Sequence, residues 1–291
     1  MKQKTDFPFE ILVHDDASKD STAEIIREYE EKYPEIIKPI YETENQYSKA
    51  DDSLTRIQYG RAQGKYIAIC EGDDYWTDSR KLQKQVEALE RHPEIDICAT
   101  GAATESEGVL LGEIAPSNRD VVFTPEQVIA GGGGFVATAS LMFRKSIHDD
   151  PLPFFQMLRL DYSIQIMGSL KGGMLYLADR TCVYRIAAQG SWTSHMTQNI
   201  EALNRFQEQL CDMLRCLDQD TSGKYHGVIE QTIADQMFER FVRNQDFKSA
   251  CLPEYKDRLR KLPFRDRTMI RVKKHFPNAA THVRNLIGRK K

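Results

Sequence analysis

No stretch of this chain stays apolar for the roughly 20 residues that a membrane-spanning helix needs. None of the features of a signal peptide follows Met1, so the reading expects a cytoplasmic protein. The six cysteines, Cys70, Cys98, Cys182, Cys211, Cys216 and Cys251, form no CxxC pair. That argues against a structural zinc site and for reduced thiols. No GxGxxG follows a strand, and GxxxxGK[ST] is missing, which disfavours a dinucleotide-binding dehydrogenase and a P-loop nucleotidase. Neither sign of charge dominates: 40 Lys+Arg face 43 Asp+Glu, a net of -3. Nothing in that balance invites nucleic acid as a partner.

What the chain does contain is a strand that ends in acids. Tyr66, Ile67, Ala68, Ile69 and Cys70 form a short apolar run, of the kind buried on both faces of a parallel sheet. It stops at Glu71-Gly72-Asp73-Asp74. Carboxylates so crowded repel one another and resist burial, so a cation is their natural partner. Ligands of open α/β sheets gather at the carboxyl ends of the strands. Hard oxygen donors there suit Mg2+ or Mn2+. The competing reading is an acidic loop that only caps the following helix. An earlier run, 9–14, also ends in acids, Asp15 and Asp16.

Around these runs strand and helix patterns alternate. Helices are expected over 22–32, 52–62 and 79–91, and further strands over 36–41 and 95–100, the pattern of a parallel sheet with helical crossovers. Residues 101–120 are weakly patterned and read as loops. Thr124-Pro125-Glu126-Gln127 is a capping-box helix start. The four glycines of 131–134 are either a flexible connection or a loop that passes close to a ligand. The run 135–144 reads as a buried strand, with Thr138 and Ser140 able to face a ligand. Asp161 opens a helix over 162–170, and strands follow over 174–178 and 181–184. The next loop, 186–197, holds Trp192 and His195. Long helical patterns over 201–218, 228–244 and 248–262 suggest a helical extension. Nine Lys/Arg against one acid, Asp266, mark 265–291, read either as a segment on an anionic membrane or as a solvated basic end.

Two of these stretches, Ile11-Leu12-Val13-His14-Asp15-Asp16-Ala17-Ser18 and Gly64 through Trp76, carry a resemblance. They are similar to the family 2 inverting glycosyltransferases of the GT-A fold, above all those that build bacterial surface polysaccharides. The likeness runs over about 9–192. It implies a Rossmann-like mixed α/β sheet with helices on both faces, over 1–197, followed by the helical extension, 198–262, and the basic tail, 263–291. It implies sugar transfer with inversion from a nucleotide-diphosphate donor, a UDP-sugar first of all, to a glycan or lipid-linked acceptor. The place would be the cytoplasm or the inner face of the membrane. Asp16, beside Asp15, matches the acid that contacts the nucleotide base. Glu71-Gly72-Asp73 matches the DxD motif with Glu in place of the first Asp. By that match Asp73 would hold Mg2+ or Mn2+ against the diphosphate, Glu71 would lie near the ribose, and Asp74 would support the metal or that contact. Asp161 matches the general base, although as a residue on its own it reads first as a helix cap. Arg185 and Lys171 are cations for the phosphates or merely surface charges. Thr138 and Trp192 would line the donor and acceptor loops, or Trp192 anchors its own loop.

Two departures from the family's pattern stand out. Residues 1–5 fall where the family's first helix ends, so the reading expects a chain without the central first strand and its nucleotide-holding turn. Ala187 stands where relatives often carry a histidine that assists the metal. Three readings therefore remain: a metal-dependent glycosyltransferase, a non-catalytic remnant or interaction module, and a metal-dependent hydrolase or nucleotidyltransferase on a related sheet.

Overall fold

The computed structural model describes residues 2–46, 53–158, 160–186, 196 and 198–275, with 53–56 described by backbone alone. The chain divides into two compact units between residues 195 and 196.

The first unit opens with an extended segment laid along the start of a helix, where Lys4 N donates to Ser79 O at 2.7 Å and Leu82 N to Gln3 Oε1 at 3.1 Å. Strand β1 (Ile11–Asp15), helix α1 (Thr22–Lys32) and strand β2 (Ile37–Tyr41) follow. β1 and β2 pair in parallel, Ile11 opposite Ile37, as a two-stranded sheet of their own. So narrow a ribbon does not cover a helix face: α1 buries no residue, and Ile25 and Tyr29 are half exposed. Helix α2 (Ser53–Arg61) is tied to this ribbon by Arg61, which donates to Lys38 O at 2.8 Å.

The main sheet is built from β3 (Tyr66–Ala68), β4 (Tyr75–Trp76), β5 (Ile97–Ser106), β6 (Val109–Ile114), β7 (Val121–Phe123), β8 (Met142–Arg144) and β9 (Met174–Arg185). Its order is β3-β8-β5-β9-β4, with β6 beside β5 and β7 beside β9. β5 and β9 run parallel and the other pairings are antiparallel, so the sheet is mixed, as the resemblance implied. Helices α3 (Lys81–Arg91), α4 (Pro125–Gly131), α5 (Pro153–Met157) and α6 (Asp161–Ser169) complete the unit. α3 lays Leu82, Ala88 and Leu89 against Cys98. In α6, a Cβ on Gly168 would stand 2.7 Å from Ile97 Cβ, so only glycine permits that approach. Ile97 and Cys98 point to opposite faces of their strand, so α3 and α6 cover the sheet from opposite sides.

Four expectations for this unit need correction. The run from Tyr66 is not buried on both faces of a parallel sheet: β3 stands at the end of the strand order, pairs antiparallel with β8, and its three residues are half-buried. Residues 101–120 are not loops throughout. β5 continues to Ser106, turns through Glu107 (φ 51°) and Gly108 (φ 80°), and returns as β6. The two positive φ angles suit the tight hairpin turn. The pattern was hard to read because Gly101, Ala102 and Ala103 are small and β6 exposes Val109, Leu110 and Leu111. The run 135–144 is not one strand: 3-10 turns occupy Gly133–Phe135 and Thr138–Ser140, and only β8 joins the sheet. The two strands expected over 174–184 are one, β9, with its register against β5 shifted around Gly101.

The second unit is helical. α7 (Ile200–Asp220) and α8 (His226–Arg243) are joined by a turn with Ser222 at φ 52° and Gly223 at φ 78°. The expected helix over 248–262 is split into α9 (Phe247–Ala250), a 3-10 turn (Pro253–Tyr255) and α10 (Lys256–Lys261), because Pro253 has no N–H to continue the ladder. α11 (Phe264–His275) begins the basic stretch. Its Ile270 is fully buried with Phe238, Phe247, Tyr255 and Leu259, so Ile270 is not among the side chains open to a surface. Residues 276–291 lie outside the described residues. No described helix is long and apolar enough to cross a membrane.

Candidate active site

β3, β5 and β9 point their carboxyl ends the same way, since β3 and β5 both run antiparallel to β8 and β9 runs parallel to β5. The acid turn sits at that end. Asp74 N donates to Glu71 O at 3.1 Å, closing a tight turn over Gly72 and Asp73. β4 then pairs with the end of β9, Tyr75 opposite Val183. Asp74 faces inward, 6% exposed, and its Oδ1 accepts from Arg185 N at 2.9 Å. Its Oδ2 is buried with no hydrogen-bond partner. Burial, more than any neighbour, raises its pKa.

Glu71 keeps an exposed surface, but its carboxyl is crowded by protein and by three other acids. Burial first, then Asp161, Asp74 and Asp73, push it up to about 7, with nearby Thr138 opposing them. The one proton of the Thr138 hydroxyl goes to Asp161 Oδ2 at 2.8 Å, so Thr138 bonds to Asp161 while lying close to Glu71. Asp161 Oδ1 accepts from Tyr162 N at 2.7 Å. The capping of α6 falls instead to Ser163, whose Oγ accepts from Leu160 N at 3.0 Å and donates to Leu160 O at 2.7 Å. Burial raises the pKa of Asp161, while Thr138 and the Tyr162 N–H oppose it. The glycine run meets this carboxylate: a Cβ on Gly133 would lie 3.9 Å from Asp161 Oδ1. Ser140, by contrast, is fully buried and donates to Ala137 O at 2.6 Å. It therefore does not face a ligand as expected.

Among the described residues no three His, Cys, Asp or Glu side chains form a metal cage. An open pair of carboxylates still fits Mg2+ or Mn2+, which complete their shells with phosphate oxygens and water. The orphaned Asp74 Oδ2 and the acid crowding at Glu71 are the observations that favour a cation here.

Arg185 stacks its guanidinium 5.5 Å from the Tyr75 ring centre, and Tyr75 Oη donates to Glu105 at 2.7 Å. Lys171 does not join the acids. It lies 3.6 Å from Asp96, which precedes β5, at the opposite end of the sheet. Asp15 is 5% exposed with Oδ1 unpartnered, and Asp16 Oδ1 accepts from Gln46 N at 2.6 Å. Both stand at the end of β1, on the smaller sheet. Trp192, Ala187 and His195 lie outside the described residues.

The floor beneath the site was not anticipated. Trp76 Nε1 donates to Ala139 O at 2.9 Å, and Gln85 Nε2 to Ser140 O at 2.9 Å. Lys81 is wholly buried, its Nζ 4.6 Å from the Trp76 ring centre. The signal was present: Lys81 and Gln85 stand four apart on the same helix face as Leu82 and Leu89, where a solvated face would not put them.

A mixed sheet with one strand ending in acids, a parallel ribbon beside it whose first strand also ends in acids, and a carboxylate opening a helix near the acid turn make up a glycosyltransferase fold of the GT-A type. Two solved structures share it. S. aureus TarS aligns with a TM-score of 0.56 at 16% identity, over 93% of this chain and 48% of that one. The mannosyltransferase PcManGT from Pyrobaculum calidifontis, solved with GDP-Man and Mn2+, aligns with a TM-score of 0.50 at 15% identity, over 94% of this chain and 80% of that one. Residues 1–150 match glycosyl transferase family 2, and the chain belongs to that family. A relative from Mycobacterium tuberculosis, the uncharacterized protein Rv1520, is 34% identical over 198 residues, 67% of this chain and 55% of the relative. The chain thus spans about half the length of the curated relatives it matches.

Proposed function

We propose that this chain transfers a sugar, with inversion and with help from Mg2+ or Mn2+, from a nucleoside-diphosphate donor, UDP-linked first of all, to a hydroxyl of a glycan or lipid-linked acceptor. The observation that carries this reading is that Asp161, held by a hydrogen bond from Thr138, lies close enough to the acid turn to raise the pKa of Glu71. In this reading Asp161 accepts the proton of the acceptor hydroxyl as its oxygen bonds to the anomeric carbon. The bond from that carbon to the diphosphate breaks, and the nucleoside diphosphate leaves with the electron pair. A pKa raised by burial makes Asp161 a stronger base than an ordinary aspartate. Thr138 holds its carboxylate in place. Asp73, with Asp74, would hold the cation, which supplies positive charge against the departing diphosphate. Glu71 serves the ribose, Asp15 and Asp16 the base, Arg185 the phosphates, and Trp192 the donor or acceptor. The binding of GDP-Man and Mn2+ by PcManGT supports a nucleotide sugar and a divalent ion here.

We assign the transfer to 1–197, with 198–262 as a helical extension. The basic tail, 263–291, would rest on an anionic membrane at its inner face, and Phe264, Met269 and Val272 are its exposed apolar side chains in α11. Titration calorimetry of UDP with and without Mn2+ tests the reading. Wild type is expected to bind UDP only with the metal, and Asp73→Ala to lose that binding. Equal UDP affinity in both proteins, with or without Mn2+, would overturn it.

A further inference from the structure

Lys81 is the least expected buried group in the first unit. It is wholly buried, and among the described residues no carboxylate lies within ion-pair distance of it. A buried ammonium without a counter-ion is costly, so its place in the fold calls for a physical account. Its surroundings suggest one. Nζ donates to Gln85 Oε1 at 2.6 Å and, at the 3.5 Å limit, to Ser140 O. It also lies against the face of Trp76, where a desolvated cation and an indole attract. Gln85, oriented through its oxygen by Lys81, uses its nitrogen on Ser140 O. Trp76, held from below by Lys81, uses its indole N–H on Ala139 O. Two successive carbonyls of the Thr138–Ser140 turn are therefore clamped by groups that Lys81 orients. The first residue of that turn, Thr138, donates to Asp161.

We infer that Lys81 and Gln85 are positioning residues: from beneath the sheet they fix the Thr138–Ser140 turn so that the Thr138 hydroxyl meets Asp161 at the angle the transfer needs. This rests on the reading that Asp161 takes the acceptor proton. Neither residue touches the donor or the acceptor. Their effect belongs to turnover and not to nucleotide affinity, because the acid turn is closed by its own Asp74–Glu71 and Asp74–Arg185 bonds.

The test uses the full chain. Lys81→Met, Gln85→Met, Thr138→Val and Asp161→Asn are compared for UDP release from UDP-glucose, UDP-N-acetylglucosamine or GDP-mannose, whichever wild type turns over, and for UDP affinity. Lys81→Met is expected to lower kcat at least about tenfold, or about 1.4 kcal/mol in barrier, with UDP affinity unchanged. Lys81→Met takes the donor from the buried Gln85 Oε1, which costs stability, so kcat and UDP affinity are read on protein whose melting transition shows it folded. Gln85→Met carries the same expectation and stands in if the lysine variant does not fold. In a double-mutant cycle, Lys81→Met adds nothing to Thr138→Val, because both act through one hydroxyl. A crystal structure of Lys81→Met is expected to show the Thr138–Asp161 bond lengthened or lost. Unchanged kcat in Lys81→Met and Gln85→Met, additive losses with Thr138→Val, or an intact bond would each overturn the inference. If Asp161→Asn itself turns over normally, the proposed function fails first.

Discussion

Replacing Glu71 by Gln isolates the electrostatic cost of the acid turn. In the folded chain its carboxyl is raised from 4.5 to about 7, by burial first and then by Asp161, Asp74 and Asp73. A raised carboxyl pKa means that the folded state holds the proton more tightly than the unfolded chain does. Below about pH 4.5 the group is protonated in both states and costs nothing. As pH rises from there to 7 the cost grows, and above 7 it is complete. About 2.5 pH units at about 1.4 kcal/mol each set a ceiling of about 3.5 kcal/mol. Glu71 retains an exposed surface, and solvent screening lowers that to about 1–2 kcal/mol. Gln keeps the size and the hydrogen-bonding capacity without the charge. At about 2–4 °C per kcal/mol for a unit of this size, Glu71→Gln is expected to melt about 2–8 °C higher at pH 8 and with almost no difference at pH 4.5. Differential scanning calorimetry from pH 4.5 to 8, without divalent metal or nucleotide, measures both ends. An equal offset at the two pH values, or a lower melting temperature at pH 8, would refute the claim that burying this charge among other acids costs stability.

Asp161→Asn is expected to keep UDP affinity and lose about 10²- to 10⁴-fold in transfer, the range for a general base; donor-release kinetics beside calorimetric binding separate the two effects. Gly172→Ala is expected to lose at least about 2 kcal/mol in urea unfolding, since φ is +138° and the new Cβ would sit 2.3 Å from Glu94 O. Gly60→Ala, in α2 with nothing within 4 Å of the new Cβ, is expected to gain about 0.5–1 kcal/mol in the same assay.

The acid-ended strand was legible because an apolar run followed at once by Glu71, Asp73 and Asp74 breaks two trends together, burial and charge spacing. The start of α4 was legible for a local reason as well: Thr124 and Gln127 exchange side-chain and backbone bonds within one turn. The β5–β6 hairpin was not, because its strand residues are too small on one side and too exposed on the other to show a period. Nor was the break of 135–144 into turns, since the donors that hold it, Trp76 and Gln85, come from 63 and 55 residues away.

By itself, then, the order of residues determined the first helices α1, α2 and α3, the strands β1 and β2, the acids at the strand ends, and Asp161 at the head of a helix. These follow from local periodicity, local capping and local charge. Only the tertiary structure decided that Thr138 bonds to Asp161 while lying close to Glu71, that Asp74 turns inward to Arg185, and that Lys171 sits at the far end of the sheet. Those are matters of strand order and direction, which bring distant residues together through long-range pairing and leave no trace in short-range pattern.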